Sequence, residues 1–311
     1  MSFENLQKQI ADTEEYTKFS VEFDYFIDFF NDFSELVSYN GRIISLIVDS
    51  NVYTLDTTLL DSSVQTLRSI KLCCSIGSFA DANTLMRKLR DELILYVYML
   101  NIINLRKPFI EDDLKKDFNV KNAADFLELF SNLRFNNVIS EDEQAVSAWL
   151  NNTVNELPRP IKKKLEFENY MKVLKQNKDI DKILTDYKLQ EYWETLRKRL
   201  NNYVHSNGTR FSIQNVVSAD NKYLETHLKN ITIRASYTLS FFFVVLLMTE
   251  SSLISSTDYL DYLDCNMEPP EGSQYFIATF IQDFIDTKIA KLHPELKQFL
   301  KDNNNHGMKI D

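Results

Sequence analysis

SFADANTLMRKLRDELILYVYMLNII, residues 78–103, is the stretch that decides the fold class of this chain. Ser78, with Asp81 three residues later, is typical of a box that caps the start of a helix. The segment begins amphipathic and becomes apolar on nearly every side after Leu93. A helix that is apolar all round lies at the centre of a bundle, because none of its faces can be left in water. The stretch therefore predicts a central helix that ends before Pro108.

The scarcity of glycine supports an all-α fold. The chain has 5 glycines and 6 prolines among 311 residues, whereas about 7% glycine is usual. Glycine supplies the positive-φ corners of hairpins and of phosphate-binding loops. Five scattered glycines therefore argue against a β-rich fold, a P-loop NTPase and a GxGxxG dehydrogenase. We expect at most a vestigial strand pair, near RIISLIV at residues 42–48, where a β-branched run precedes turn residues.

Apolar spacing predicts further helices around the central one. Apolar residues recur every three or four positions between Phe23 and Leu36, which is a helical spacing. We predict a multi-helix bundle in a single α-helical domain, residues 1–311. Its core helices are expected at about 54–105 and 187–311. Between them, residues of about 106–186 have a lower apolar density, which predicts an inserted helical elaboration with short helices at 123–135 and 140–156.

One apolar segment requires a comparison with membrane helices. Residues 235–249, ASYTLSFFFVVLLMT, form 15 uncharged positions bounded by Arg234 and Glu250. A membrane-spanning helix needs about 20 apolar residues. The segment therefore predicts a buried core helix and a protein without membrane contact.

Cysteine usage and the N-terminal sequence predict a cytoplasmic protein. The three cysteines are Cys73, Cys74 and Cys265, and none has the spacing of a zinc site. The N-terminus is polar and acidic, unlike a secretory signal or a transit peptide. These features fit a reduced cytosolic chain, and we expect neither a metal nor another cofactor.

Polar chemistry concentrates in LQEYWETLRKRLNNYVHSNG, residues 189–208. At about 100° per residue, five apolar side chains share one face that should pack against the core: Leu189, Trp193, Leu196, Leu200 and Val204. The opposite face carries Lys198, Asn202 and His205, with Arg199 and Asn201 on its two flanks. His205 should therefore point away from the core that its own helix packs against.

The spacing alone also permits a plain structural role for His205. A histidine at the end of a helix can interact with the last carbonyls and with the helix dipole. The residues that follow, Ser206-Asn207-Gly208, are suited to closing a helix, and Asn207 and Gly208 both tolerate left-handed backbone. In this interpretation the helix end has no catalytic role.

The run from Arg199 to His205 resembles the Arg-x(4–6)-His signature of the HEPN superfamily of helical proteins. NYVHSNG, residues 202–208, is similar to the histidine-containing helix end of HEPN-like abortive-infection families. The earlier helix, residues 81–98, is similar to the first core helix of those families, which carries a basic and acidic cluster. That supporting charge cluster would consist of Arg87, Arg90 and Asp91.

The resemblance implies a metal-independent endoribonuclease in defence or stress response, with a site composed where two subunits meet. His205 would be the general acid or base at a ribose 2′-hydroxyl, since its unperturbed pKa is about 6.5. Arg199 would stabilise charge on the phosphoryl oxygens, and products would end in a 2′,3′-cyclic phosphate. Many HEPN nucleases have a polar residue directly after the arginine, where this chain has Leu200. The role of orienting His205 or the phosphate would therefore fall to Asn201 and Asn202.

Charge along the chain is uneven. Residues 159–199 contain twelve Lys or Arg against seven Asp or Glu, a local charge of +5 in a chain of net charge −10. A basic segment that leads into Arg199 is suited to RNA phosphates. The candidate RNA-binding residues are Lys162, Lys163, Lys164, Arg197 and Lys198. A solvated, lysine-rich surface helix is the alternative interpretation.

Two other classes of function stay open. One is a non-catalytic HEPN-like binding or sensor module, in which the histidine helix only builds a dimer interface. The other is a structural α-helical interaction protein without a nucleic-acid role. We expect a homodimer, and the sequence identifies no partner protein. Burial of His205 and Arg199 away from any cleft would remove the basis for catalysis, whereas a basic groove lined by both would support it.

Overall fold

The computed structural model of the chain describes residues 10–39, 44–48, 50–110, 127, 131 and 133–311. The fold is an all-α, multi-helix arrangement with one two-stranded sheet in the described residues, which confirms the predicted class. The chain divides into two compact units. The first comprises 1–42, 57–97 and 174–311, and the second comprises 43–56 and 98–173. The second unit overlaps the elaboration expected at 106–186 and also takes in a β-hairpin.

The elements follow one another along the chain as helices of very different length. In order they are α1 (Glu14–Tyr39), β1 (Ser45–Val48), β2 (Asn51–Thr54), α2 (Thr58–Ser75), α3 (Phe79–Leu105), α4 (Glu141–Leu150), α5 (Arg159–Lys162), α6 (Phe167–Leu174), α7 (Lys178–Asp186), α8 (Leu189–Val204), α9 (Thr209–Ser212), α10 (Leu224–Glu250), α11 (Asp258–Asp264), α12 (Thr279–Phe284), α13 (Ala290–Leu292) and α14 (Pro294–Asn303). Short 3₁₀ turns lie at Val154–Glu156, Lys163–Leu165, Ile213–Asn215, Ser251–Ile254 and Ser273–Tyr275, and a π-helical turn at Ile285–Ile289 joins α12 to α13.

Aromatic side chains form the core of the first unit. Phe29 of α1 stacks on Phe284 of α12 with ring centroids 4.0 Å apart. Phe243 of α10 lies 4.9 Å from Phe29 and 4.8 Å from Phe33. Phe23 and Phe33 are fully buried, in agreement with the helical spacing predicted between residues 23 and 36. The core is therefore built where α1, α10 and α12 meet.

Helix α10 is the most apolar element. Together with the turn that follows it, residues Leu224–Ile254, it is long and apolar enough to cross a membrane. In the most apolar 18-residue stretch of this segment, 78% is buried inside the protein. The core helix of a soluble protein is likewise long, apolar and mostly buried. All residues of 238–249 are buried, as expected for a core helix. The absence of membrane contact stays a prediction.

The second unit contains the hairpin and the short helices α4 to α6. β1 pairs antiparallel with β2, from Ser45 opposite Thr54 to Val48 opposite Asn51, which confirms the strand pair expected near 42–48. The buried Arg106 donates to the carbonyl oxygens of Ile47 (3.2 Å) and Val138 (2.6 Å). The helix expected at 140–156 begins with a capping box and ends at Leu150. The helix expected at 123–135 lies mostly outside the described residues.

Candidate functional site

Helix α8 presents a buried face and an exposed face, as the sequence pattern predicts. Leu189, Trp193, Leu196 and Leu200 are buried. The stripe ends earlier than expected, because Val204 is 37% exposed. α8 ends at Val204, so its last turn extends past the core. Its C-terminal end is therefore available to solvent or to a partner.

Backbone groups close the C-terminal end of α8. The His205 N–H donates to the Asn201 carbonyl (3.1 Å), and the Ser206 N–H donates to the Tyr203 carbonyl (3.1 Å). The Asn207 N–H reaches the Asn202 carbonyl at 3.0 Å. Ser206 has φ 46° and is left-handed, and Gly208 also has a positive φ, of 115°. Main-chain N–H groups thus satisfy the carbonyls of Asn201, Asn202 and Tyr203, so none of these three needs a side-chain cap.

The His205 imidazole has no structural partner in the described part of the chain. Its residue is exposed, and its ring makes no hydrogen bond or ion pair with any residue that the structure describes. A hydrogen bond from the His205 ring to the last carbonyls, one form that a plain structural role could take, is therefore not made among the described residues. An exposed imidazole without a partner keeps both ring nitrogens free for proton transfer or for hydrogen bonding to a ligand.

Arg199 points in a different direction from His205. His205 comes six positions after Arg199, so the two lie about 120° apart around the helix. Arg199 is exposed and lines an apolar cavity of about 120 Å³, whose walls include Trp193, Phe241 and Leu296. The guanidinium makes no ion pair with any described residue. Within one copy of the chain, the helix directs Arg199 and His205 toward separate surroundings.

The two asparagines between Arg199 and His205 differ in their contacts. The Asn202 side-chain oxygen accepts a hydrogen bond from the Asn207 amide at 3.0 Å, so Asn202 holds the loop after α8. The Asn201 side-chain oxygen is buried and has no hydrogen-bond partner among the described residues. Of the two asparagines, Asn201 is therefore the one whose side-chain oxygen is available to a further hydrogen bond.

The predicted RNA-binding residues fall into both units. In the first unit, Arg197 pairs with Glu194 at 3.0 Å, and Lys198 is exposed on α8. The other three belong to the second unit: Lys162, Lys163 and Lys164. Lys162 donates to the Asn155 carbonyl (2.8 Å), and Lys164 pairs with Glu141 (3.2 Å) and Asp142 (3.5 Å). Lys163 and Lys198 are the members of this set that are exposed.

The predicted charge cluster of α3 is a packed ion-pair network. Arg90 is 1% exposed and donates from Nε (2.8 Å) and from its terminal nitrogen (2.5 Å) to one Asp91 oxygen. Arg87 Nε lies 3.5 Å from the other Asp91 oxygen. The Arg90 guanidinium also lies 5.8 Å from the Trp193 ring centroid. Burial lowers the pKa of Arg90, and Asp91 opposes that shift. The cluster connects α3 to α8 inside the protein.

A polar cavity of about 210 Å³ lies beside the end of α8. Its walls include Asn83 of α3, Tyr203 of α8, Gln214, and Thr226, Asn230 and Arg234 of α10. An Arg234 terminal nitrogen donates to the Asn83 side-chain oxygen, and the guanidinium lies 5.6 Å from the Tyr203 ring centroid. The Tyr203 hydroxyl lies 3.2 Å from Gln214 Oε1. No carboxylate lies within ion-pair distance of Arg234 among the residues that the structure describes.

His227 also lines the polar cavity. Its ring stacks on Phe79, with centroids 5.0 Å apart and planes 20° apart. Burial lowers the pKa of His227, and the positive charge of Arg234 lowers it further. His227 is therefore a neutral imidazole near pH 7, beside a guanidinium without a carboxylate partner.

The sequence analysis missed this polar cavity. A usable signal was present, because His227, Asn230 and Arg234 are spaced by three and four residues. This spacing places them on one face of α10, just before its apolar run. Polar residues on one face of an otherwise apolar helix could have predicted a polar cavity at that face.

No protein-family model, no curated protein and no solved structure matches the chain. Among the described residues, no group of three or more His, Cys, Asp or Glu side chains is arranged to hold a metal ion. The three cysteines are free thiols, of which Cys74 is buried and Cys265 is exposed.

Proposed function

We propose that this chain is a HEPN-like, metal-independent endoribonuclease whose active site forms at the C-terminal end of α8. The observation that carries the proposal is the exposed His205 imidazole, which has no partner among the described residues although it stands at a helix end. Main-chain N–H groups already satisfy three of the last four carbonyls of α8, those of Asn201, Asn202 and Tyr203. The histidine is therefore not needed to close the helix and is available for chemistry.

A free imidazole is suited to the cleavage of RNA. His205 accepts the proton of a ribose 2′-hydroxyl, and the oxygen attacks the adjacent phosphorus. The bond from phosphorus to the 5′-oxygen of the next nucleotide breaks, that oxygen takes a proton from water, and the other product carries a 2′,3′-cyclic phosphate. The negative charge that develops on the phosphoryl oxygens requires a fixed cation, which the HEPN resemblance assigns to Arg199.

A second copy of the chain would complete this site. Arg199 diverges from His205 by about 120° on one helix, so the two meet most readily when helices from two copies face each other. Apolar side chains near His205 in the sequence are exposed: Val204 (37%), Ile213 (65%) and Val216 (73%). These exposed apolar side chains are available to an interface between two copies of the chain. The proposal therefore includes a homodimer in the cytoplasm, without membrane contact.

Replacement of His205 tests the proposal. His205→Ala should lower RNA cleavage about a hundredfold to ten-thousandfold, which is the range for loss of a general acid or base. Because the imidazole makes no contact in the described fold, the free energy of unfolding should change by less than about 0.5 kcal/mol. His306→Ala is the matched control, since His306 is another accessible histidine, paired with Glu250 at 3.3 Å. EDTA should leave the wild-type rate unchanged.

Equal cleavage rates for wild-type protein and His205→Ala would contradict the proposal. A chelator that abolishes cleavage would do the same. If His205→Ala and His306→Ala both lose activity, the loss has a cause other than the chemistry of His205, and the proposal is contradicted.

The direction of Arg199 favours a second candidate, a non-catalytic HEPN-like binding module. Arg199 lines the apolar cavity instead of the exposed face that carries His205. In such a module, RNA or another anion would bind at the end of α8 without being cleaved. Binding of RNA that survives intact, together with weaker binding by Lys198→Ala, would identify this function. Lys198 is exposed on the same face as His205.

A further inference from the structure

The polar cavity is built around a cation without an anionic partner in the described chain. The Arg234 guanidinium contacts the Asn83 amide oxygen and the Tyr203 ring, and neither group is an anion. No Asp or Glu lines the cavity, as far as the structure describes the chain. A partly buried guanidinium loses part of its hydration, and its contacts with an amide oxygen and an aromatic ring bring no counter-charge. A bound anion would supply the missing charge.

The other groups around Arg234 are uncharged hydrogen-bonding groups. Thr226 and Asn230 line the cavity from α10, and the Tyr203 hydroxyl lines it from α8. His227 offers one ring N–H, because it is neutral near pH 7. An anion with several acceptor oxygens can use the Thr226, Asn230 and His227 donors together, and the Tyr203 hydroxyl, which donates to Gln214 Oε1 at 3.2 Å, can turn from Gln214 to the anion.

We propose that the polar cavity binds the phosphate group of a nucleotide, with Arg234 as its charge partner. The planar fork of an arginine matches two oxygens of a phosphate. The cavity volume of about 210 Å³ is several times the ~30 Å³ that one water occupies, so the space suffices for a phosphate group. Tyr223 lines the cavity and is 54% exposed, which gives a base an aromatic ring to stack on.

The inference stands apart from the proposed cleavage, because it needs neither His205 nor Arg199. Two sources supply the same chemistry: a free mononucleotide carries a phosphate monoester, and an RNA strand carries phosphodiesters. A ligand series distinguishes them. Isothermal titration calorimetry of the full chain is carried out with adenosine 5′-monophosphate, with the dinucleotide ApA and with adenosine.

We expect the monophosphate or the dinucleotide to bind and adenosine not to bind. Binding of the monophosphate alone identifies a free nucleotide as the ligand, and binding of the dinucleotide identifies an RNA strand. If none of the three binds, or if adenosine binds as tightly as the phosphorylated compounds, the proposal is overturned.

Variants of the cavity wall test which residues hold the phosphate. Arg234→Gln should weaken binding about tenfold to a hundredfold, the value of a charged hydrogen bond. Tyr203→Phe keeps the ring beside Arg234 and removes only the hydroxyl, so a loss of a few-fold is expected. Arg210→Gln is the matched control, because Arg210 is exposed on α9 over the Phe211 ring, at 4.8 Å.

The folding of each variant and its RNA cleavage are measured separately from phosphate binding. Arg234 also contacts Asn83, so circular dichroism must show that Arg234→Gln folds, and Tyr203→Phe keeps the test decisive if it does not. Unchanged affinity in folded Arg234→Gln, unchanged affinity in Tyr203→Phe, or an equal loss in Arg210→Gln overturns the assignment. His205→Ala should bind the phosphate as wild-type protein does, even if RNA cleavage is lost.

Discussion

The ion pair between Arg90 and Asp91 yields the most quantitative prediction for stability. Asp91→Asn keeps the size of the side chain and removes its charge. The Arg90 side chain is 2% exposed and the Asp91 side chain is 32% exposed. Removing one partner of a fully buried ion pair costs about 3–5 kcal/mol. Because solvent screens part of the charge of Asp91, we expect a loss of about 2–3 kcal/mol in the free energy of unfolding.

Urea unfolding followed by circular dichroism measures this loss. Glu92→Gln is the matched control, since Glu92 follows directly on α3 and pairs with Lys88 at 2.6 Å, where the lysine side chain is 46% exposed. The Glu92 side chain is 22% exposed, but the Lys88 ammonium stays in contact with water, so this pair should contribute less than about 1 kcal/mol. The double variant Arg90→Met/Asp91→Asn should recover part of the loss, because it no longer buries a guanidinium that has lost its Asp91 partner. A cost below about 0.5 kcal/mol for Asp91→Asn would refute the reasoning, because substitutions away from any network cost that little.

Three further predictions concern the core, the acid response and the membrane question. Phe29→Ala should cost about 3–5 kcal/mol in urea unfolding, because Phe29 stacks on Phe284 at 4.0 Å; Val21→Ala, at a position 72% exposed, should cost little. Burial lowers the pKa of folded His227 below its usual 6.5, so the unfolded chain takes up the proton at a higher pH. The free energy of unfolding should therefore fall as the pH drops below 6.5, and His227→Asn, measured over the same pH series, should lack that decline. Because residues 238–249 are buried, the protein should be recovered without detergent, and recovery in a carbonate-resistant membrane fraction would contradict the burial of α10.

Local patterns in the sequence predict most of the fold. The apolar residues between Phe23 and Leu36 recur at helical spacing, and the structure buries that face of α1. The β-branched run at 45–48 forms the predicted strand. In each case the signal lies within a few residues of the element it predicts, so a single sequence is sufficient.

The candidate site is predictable only in part, because its geometry depends on distant residues. The exposed position of His205 follows from the spacing of Leu196 and Leu200 on the same helix. The polar cavity does not follow in this way, because Arg234 meets Asn83 across 151 positions of sequence. The direction of Arg199 into the apolar cavity likewise depends on α10 and the C-terminal helices. Side-chain surroundings of this kind become visible only when the helices are packed.

Analysis of RNA product ends tests the central claim most directly. Purified wild-type protein, His205→Ala and His306→Ala are each incubated with single-stranded RNA in the presence of EDTA, and the product termini are identified by mass spectrometry. The account predicts fragments that end in a 2′,3′-cyclic phosphate for the wild type and for His306→Ala, and intact RNA for His205→Ala. Intact RNA with all three proteins, fragments with 3′-hydroxyl and 5′-phosphate ends, or cyclic-phosphate products from His205→Ala at the wild-type rate would contradict it.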